Sequence, residues 1–318
     1  MLGSIPDCDR AEQMTDTTVT SISDSAAGTI HEKLDRYRDL RRAVWLLSRS
    51  FSSMLGLSIV ILFMVLALFG HWIAPYPEAA MGSINMAEML QPPSWKHWFG
   101  TDDMGNDVLS RVIIGTQISL QVGLIITLGA ALIGVPLGIL AGYLGGWVRS
   151  TIMALTDLFL SVPSLVLAIA IVAVLGPGIV NTMIALAVVW WPGYVRLIDS
   201  KTLAIKEEPY VEAARALGAS TPRIIFFYLL PGCASPLIVK ASMDMGAAIL
   251  AAAGLGFIGL GAKAPSPEWG AMLSVARGYL PEWWWFAFFP GVAIYLSVLG
   301  FNLLGDGLRD VLDPRTSR

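Results

Sequence analysis

Apolar residues in this chain gather into long runs separated by short polar segments. Six runs are long enough to cross a hydrocarbon core as helices, which takes roughly 20 residues each. They are Phe51 to Ile73, Ile118 to Leu144, Thr151 to Leu175, Ile179 to Ile198, Ala234 to Gly261 and Phe286 to Leu304. Turn chemistry marks boundaries between them, with Gly145-Gly146 after the second run and Gly176-Pro177-Gly178 after the third. The pattern predicts an all-α integral membrane protein of six transmembrane helices. Composition agrees, since 55% of the 318 residues are hydrophobic and only 14% are charged, against about 25% charged in a soluble domain.

The polar remainder divides the chain. Residues 1–49 form an N-terminal segment, 50–73 the first span and 74–116 a loop. Residues 117–308 hold five further spans with a polar loop at 199–232, and 309–318 are a tail. Met1 to Gly28 is rich in Ser, Thr and Asp and has no apolar block, so it reads neither as a cleavable signal nor as a folded element. His31 to Arg49 alternates charge with Leu, Tyr and Trp, which suits an amphipathic helix on a membrane surface. Lys and Arg set the orientation, because loops rich in them stay in the cytoplasm. Seven precede the first span, and Arg149, Arg196, Lys201, Lys206, Arg215, Arg223, Arg309, Arg315 and Arg318 fall on the same side. Only Lys96, Arg111, Lys263 and Arg277 fall on the other. Both termini are therefore expected in the cytoplasm. Cys8 and Cys233 then face or border a reducing compartment, which argues against a structural disulfide.

One cytoplasmic stretch, EEPYVEAARALGAS from Glu207 to Ser220, is polar between two greasy runs. Pro209 suits the first turn of a helix, Gly218 the left-handed residue that closes one, and Ser220 or Thr221 the cap of a second helix with Pro222 just inside. The spacing predicts helix, tight turn, helix, ending at Pro231-Gly232. Val211, Ala214 and Leu217 should share one face, and the small residues Ala213, Ala214 and Ala216 allow close approach by another protein. A helix lying along the bilayer fits the spacing equally.

Four separated stretches carry a resemblance. Glu212-Ala213-Ala214, three residues, Gly218 and a Leu230-Pro231 ending resemble the EAA loop of ATP-binding-cassette (ABC) importer permeases. HWFGTDDMGNDVLSRVIIG (His97 to Gly115), GFIGLGAKAPSPEWGAMLSVARGYL (Gly256 to Leu280) and FNLLGDGLRDVLDPR (Phe301 to Arg315) agree in order. Together they resemble the C-type inner-membrane permease subunit of dipeptide, oligopeptide and nickel importers, over Ser50 to Arg315. Tyr228 stands where that family usually has an aliphatic residue, and Asn106 where it commonly has Arg. The resemblance implies a type I importer permease fold in which Glu212, Ala213, Ala214, Leu217, Gly218 and Pro231 form the coupling element that docks on a cytoplasmic ATPase. It implies a homologous second permease subunit, one or two kinds of ATPase and a periplasmic or lipid-anchored binding protein, with membrane lipid around them and no nucleic acid. The cargo it implies is a dipeptide or short oligopeptide, or else glutathione or a nickel complex. The chain itself has no Gly-x4-Gly-Lys-Ser/Thr phosphate loop. It is therefore expected to be no enzyme and to hold no cofactor, with ATP and magnesium bound in the partner ATPases.

Other polar residues have two readings each. Asp157 in the third span, with Pro163 loosening the helix after it, and Lys240, Met243 and Asp244 in the fifth are candidates to line a pathway. Lys240 and Asp244 are four apart and share a face, so they also read as a self-neutralising pair, and Met243 as packing. Asp102, Asp103 and Asp107 lack the alternate ligand spacing of a calcium loop. They suit a capped turn in which Asn106 or Asp107 starts a helix and Arg111 clamps an acid. His31, His71 and His97 lie outside the spans or at their ends, which argues against a histidine nickel site. Trp283, Trp284 and Trp285 read as an interfacial anchor. Gly254, Gly256, Gly259 and Gly261 suit close helix packing or a re-entrant segment. A secondary transporter would share six spans but needs no coupling loop. A membrane-embedded hydrolase would need a nucleophile with its base, or His-Glu-x-x-His, and neither is present.

Overall fold

The computed structural model describes residues 50–78, 80 and 82–312. The expectations for Met1 to Arg49, including Cys8 and His31, lie outside the described residues, as do Arg315 and the tail beyond 312. Among the described residues the regular structure is helical, apart from one β-bridge between Thr101 and Asp107. The long helices are α1 (Phe51–Ile73), α2 (Val108–Leu144), α3 (Gly146–Leu160), α4 (Ser164–Leu175) and α5 (Ile179–Lys206). A short helix α6 (Pro209–Ala216) follows, then α7 (Thr221–Ile224), a π-helical turn (Ile225–Leu229) and α8 (Leu230–Gly232). The chain ends with α9 (Ala234–Phe257), α10 (Trp269–Ala276) and α11 (Trp284–Leu312).

Four of these helices, α1, α2, α9 and α11, are long and apolar enough to cross a membrane, and α3 with α4 makes a fifth if the pair is one broken span. The third predicted span is thus not a straight helix. Pro163 carries no N–H to continue the ladder, and the chain bends by 87° across residues 161–163. The fourth predicted span is part of α5, which fails the same apolar test. Its apolar run gives way to Trp190-Trp191-Pro192-Gly193, and Arg196, Asp199, Lys201 and Lys206 follow. The helix runs eight residues past the expected Ile198, so the polar loop starts at Glu207 and not at 199.

Helix α2 also starts early, because Asp107 caps it and accepts from Ser110 N at 2.8 Å. Its other half carries Gly134, Gly138 and Gly142, one per turn against α5. A methyl group at these positions would meet Tyr194, Ile198 or Thr202 at 2.5–2.7 Å. Only hydrogen fits there, and the two backbones approach closely as in small-residue membrane seams. Trp269, Met272, Phe286 and Phe63 centre a core at the end that holds Asp102. Tyr194, Ile198, Val211, Ile224, Leu229 and Cys233 build a second core at the opposite end, beside Glu212.

At the Asp102 end, Gly256 and Gly261 sit in close packing, whereas Gly254 and Gly259 have nothing within 4 Å of a methyl position. The helix stops at Phe257, four residues before the expected Gly261, and the Gly256 backbone lies where a methyl group would meet Gly270 of α10 at 3.1 Å. Trp283 packs partly buried, and Trp285 is 7% exposed and donates its indole N–H to Thr101 O at 3.3 Å. Of the three, only Trp284 is exposed, at about half its surface, so the trio does not form a continuous exposed belt. Trp285 is held inward because Thr101 offers its carbonyl within reach of the indole.

Candidate functional site: a braced polar helix

Helix α6 begins as its residues predict. Glu208 sits at the cap position in extended conformation and Pro209 fills the first helical position. The end is a Schellman turn: Ala219 N–H donates to Ala214 O and Gly218 N–H to Arg215 O, both at 3.0 Å. Gly218 has φ of +84°, a conformation that costs an L-residue about 1–2 kcal/mol. Nothing lies within 4 Å of the methyl group a side chain would start with there. Glycine is required at this position by the backbone and not by crowding.

The helix has one face tied down and one face free. Val211 is fully buried in the second core with Ile224 of α7, and Ala214 is 8% exposed. Full burial of a Val or Ile side chain is worth ~1.5–3 kcal/mol. Arg215 lies 5.9 Å over the Tyr143 ring at the end of α2, and Tyr210 stacks on Tyr228 at 6.2 Å. Glu212, Ala213, Ala216 and Leu217 face outward. Leu217, expected beside Val211 and Ala214, is instead 89% exposed. It falls at the C-cap, after the last helical turn, where the chain already swings toward Gly218. Ala214 likewise serves the chain's own core and is not available to a partner. Pro231 is exposed, at the far end of the same polar segment. The Glu212 carboxylate has no hydrogen bond or ion pair among the described residues.

The root of this element is pinned by a contact between segments far apart in the sequence, for which the local pattern carries no signal. Arg149, in the first turn of α3, grips the buried Asp199 of α5 through Nε and Nη2 at 3.0 Å each. Lys206 donates to Gly142 O at 3.1 Å, closing α5 onto α2. Through Val211 in the second core and Arg215 over Tyr143, α6 is thus packed on the ends of α2 and α5, which the Arg149 and Lys206 contacts hold to each other and to α3.

Beside it, α5, α9 and α11 enclose a cleft of about 830 Å³ lined by Lys201, Lys240, Asp244 and Arg309 together with Leu197 and Met243. Lys240 and Asp244 are paired at 3.0 Å, one turn apart, and the ammonium group lies 4.9 Å over the Tyr194 ring. Asp157 is not in this cleft. It pairs with Arg196 at 2.7 Å, with both side chains more than half exposed, because the bend at Pro163 directs α3 along the outside of α5.

At the opposite end, the acidic stretch folds as a capped turn. The Asp102 carboxylate accepts from Met104 N and Asn106 N at 2.8 Å and from Arg111 at 2.6 Å. Arg111 also donates to Pro265 O and Ser266 O, tying α2 to the loop before α10. Burial, then the neighbouring Asp102 charge, pushes the Asp103 carboxyl above its ordinary range, and the Tyr279 hydroxyl donates to it at 3.4 Å. His97 is buried, with Nδ1 2.9 Å from Asp107. Asp102, Asp103 and Asp107 thus meet protein donors, and among the described residues no group of three His, Cys, Asp or Glu could hold a metal.

An all-helical bundle of apolar, span-length helices with a polar helix braced between them is the arrangement of an integral membrane protein. Comparisons with known proteins agree. Residues 134–318 match the binding-protein-dependent transport system inner membrane component, and residues 40–93 match the N-terminal transmembrane domain of oligopeptide transport permease C. The chain belongs to this family of inner-membrane transport components. It is 44% identical over 294 residues to a probable D,D-dipeptide transport system permease protein of Escherichia coli K12, covering 92% of this chain and 97% of that one. It is 46% identical over 267 residues to a glutathione transport system permease protein of Escherichia coli O6:K15:H31, covering 84% and 88%. An inward-facing structure of the MetNI methionine ABC transporter superposes with a TM-score of 0.52 at 21% identity, over 64% of this chain and 96% of that chain, and so shares the fold.

Proposed function

We propose that this chain is one of two permease subunits of an ATP-driven importer of dipeptides or short oligopeptides, and that α6 couples it to a cytoplasmic ATPase. One observation carries the proposal. Glu212, Ala213, Ala216 and Leu217 stand exposed on a helix whose other face is locked into the membrane core. Such a helix passes a push from outside straight to α2 and α5. ATP and magnesium bind in the ATPase subunits, and a binding protein delivers cargo on the far side. Glutathione is the second cargo reading, favoured by the 46% identical glutathione permease. Deleting the gene should abolish ATP-dependent uptake of labelled dipeptide and leave passive leak; restored expression should recover uptake with an ATPase co-purifying. Uptake that persists under ATP depletion would instead indicate a secondary transporter.

The proposal places α6 and both termini in the cytoplasm, on the asymmetry of Lys and Arg. Ser83 and Ser220 are both exposed. In a chain without native cysteines, Ser83→Cys should label strongly in intact cells with an impermeant thiol reagent and Ser220→Cys should stay silent. The reverse pattern would invert the topology.

The charged cleft is proposed as the inner part of the transport pathway, with the Lys240–Asp244 pair as its structural neutraliser. Losing one member leaves a lone charge that is about a quarter exposed or less, whereas losing both is tolerated better. Lys240→Met alone or Asp244→Leu alone should lower the yield of folded protein several-fold, and the double variant should recover both yield and uptake. A well-folded double variant without uptake, but with ATPase activity intact, would make the pair a cargo site instead.

A further inference from the structure

Helix α11 carries a narrow stripe that the other described residues leave largely uncovered. Trp284, Phe288 and Tyr295 are 50%, 53% and 63% exposed. With Gly291, Asn302 and Asp306 they lie within about 60° of one another around the helix axis, at 3.6 residues per turn. At the Trp284 end the stripe opens into a groove of about 460 Å³, walled by Leu280, Trp284, Phe288, Val292 and Tyr295 and floored by Gly291. The side chains of Tyr295, Asn302 and Asp306 have no hydrogen bond or ion pair among the described residues.

Depth makes these polar groups informative. At 1.5 Å per residue, Tyr295 lies about 16 Å from Trp284, near the middle of a hydrocarbon core, and Asn302 about 27 Å away, near its other boundary. The hydrocarbon core offers the Tyr295 hydroxyl no hydrogen-bond partner, and Asn302 and Asp306 set further polar groups on the same stripe toward its far boundary. A water-filled path would satisfy them, yet the groove beside Tyr295 is walled by Trp, Phe, Leu and Val. A second protein helix meets both conditions, since it can fill an apolar groove and bring polar groups to the hydroxyl, the amide and the Asp306 carboxylate. The same side of α11 reaches Arg309 at the rim of the charged cleft, so a seam here is continuous with the proposed pathway.

We infer that the α11 stripe from Trp284 to Asp306 is the seat of the second permease subunit, which packs a bulky side chain into the Gly291 groove and donates hydrogen bonds to Asn302 and Asp306. This rests on the reading of the chain as one permease of a pair. The test uses the assembled complex in native membranes, with a photo-crosslinking amino acid at Phe288 or Tyr295 and, as a lipid-facing control, at Leu62 of α1. The expected result is an adduct at both α11 positions with the homologous second permease, identified by mass spectrometry, and none from Leu62. Tyr295→Cys should resist an impermeant thiol reagent in the complex, and Asn302→Leu with Asp306→Asn should cut co-purification of the second permease several-fold. Adducts to lipid alone, to the ATPase or to another copy of this chain would overturn the inference, as would ready labelling of Tyr295→Cys. If no second permease and no ATPase accompany the wild-type chain, the permease-pair reading itself fails; if both are present and the adducts lie elsewhere, only this seat is wrong.

Discussion

Gly218→Val should stop uptake while leaving the protein in the membrane at normal levels. The position is exposed, and the new Cβ meets nothing within 4 Å. Its whole cost is backbone: φ is +84°, which a β-branched residue resists. Relieving that strain breaks the two hydrogen bonds that end α6 and turns Glu212 and Leu217 away from the direction in which Val211 holds them. Gly218→Asn, which tolerates the left-handed region, should keep most of the uptake. Glu212→Lys reverses a carboxylate that has no hydrogen bond or ion pair among the described residues, so its effect is expected on a partner shaped for an anion. It should reduce uptake at least tenfold and release the ATPase on purification, or leave ATP hydrolysis running without transport. Normal uptake and intact ATPase association in both Gly218→Val and Glu212→Lys would make α6 a surface feature.

Arg111→Met should be the most destabilising single change at the other end. It strips the cation from the Asp102 carboxylate, which is fully buried, and removes the link to Pro265 and Ser266. Breaking a buried pair from one side costs about 3–5 kcal/mol, which should lower the thermal midpoint of the purified protein by roughly 10 °C. Adding Asp102→Asn removes the lone charge and keeps an acceptor for Met104 and Asn106, so at least half the loss should return. A midpoint unchanged by Arg111→Met, or a double variant worse than the single, would show that the clamp is not what holds this end together.

Local signals were legible in the sequence, and contacts between distant segments were not. Pro209, Gly218 and Asp107 act on their own turns, so helix start, left-handed stop and cap could be read directly. Lys240 and Asp244 are one turn apart on one helix, and their pairing followed from spacing. Asp199 looked like an ordinary polar residue at the end of a span; its grip on Arg149 exists only because α3 returns beside α5, 50 residues away. Arg111 was expected to clamp an acid, but its bonds to Pro265 and Ser266 cross more than 150 residues. The Pro163 break was visible and its 87° angle was not, since packing around the break sets the angle. Leu217 misled the helical pattern because the helix ends one residue before it. Trp285 misled the interface pattern because a carbonyl from residue 101 draws it inward.

The central question is whether the free face of α6 meets a separate ATPase. The direct measurement places a photoreactive thiol label on Ala216→Cys, which is exposed, and on Ala214→Cys, which is buried, in a chain lacking its native cysteines and assembled in membrane vesicles. The expected result is an ATP-sensitive adduct between Ala216→Cys and a nucleotide-binding ATPase subunit, and none from Ala214→Cys. Vesicles that import peptide with ATP yet give no ATPase adduct at Ala216→Cys would contradict it.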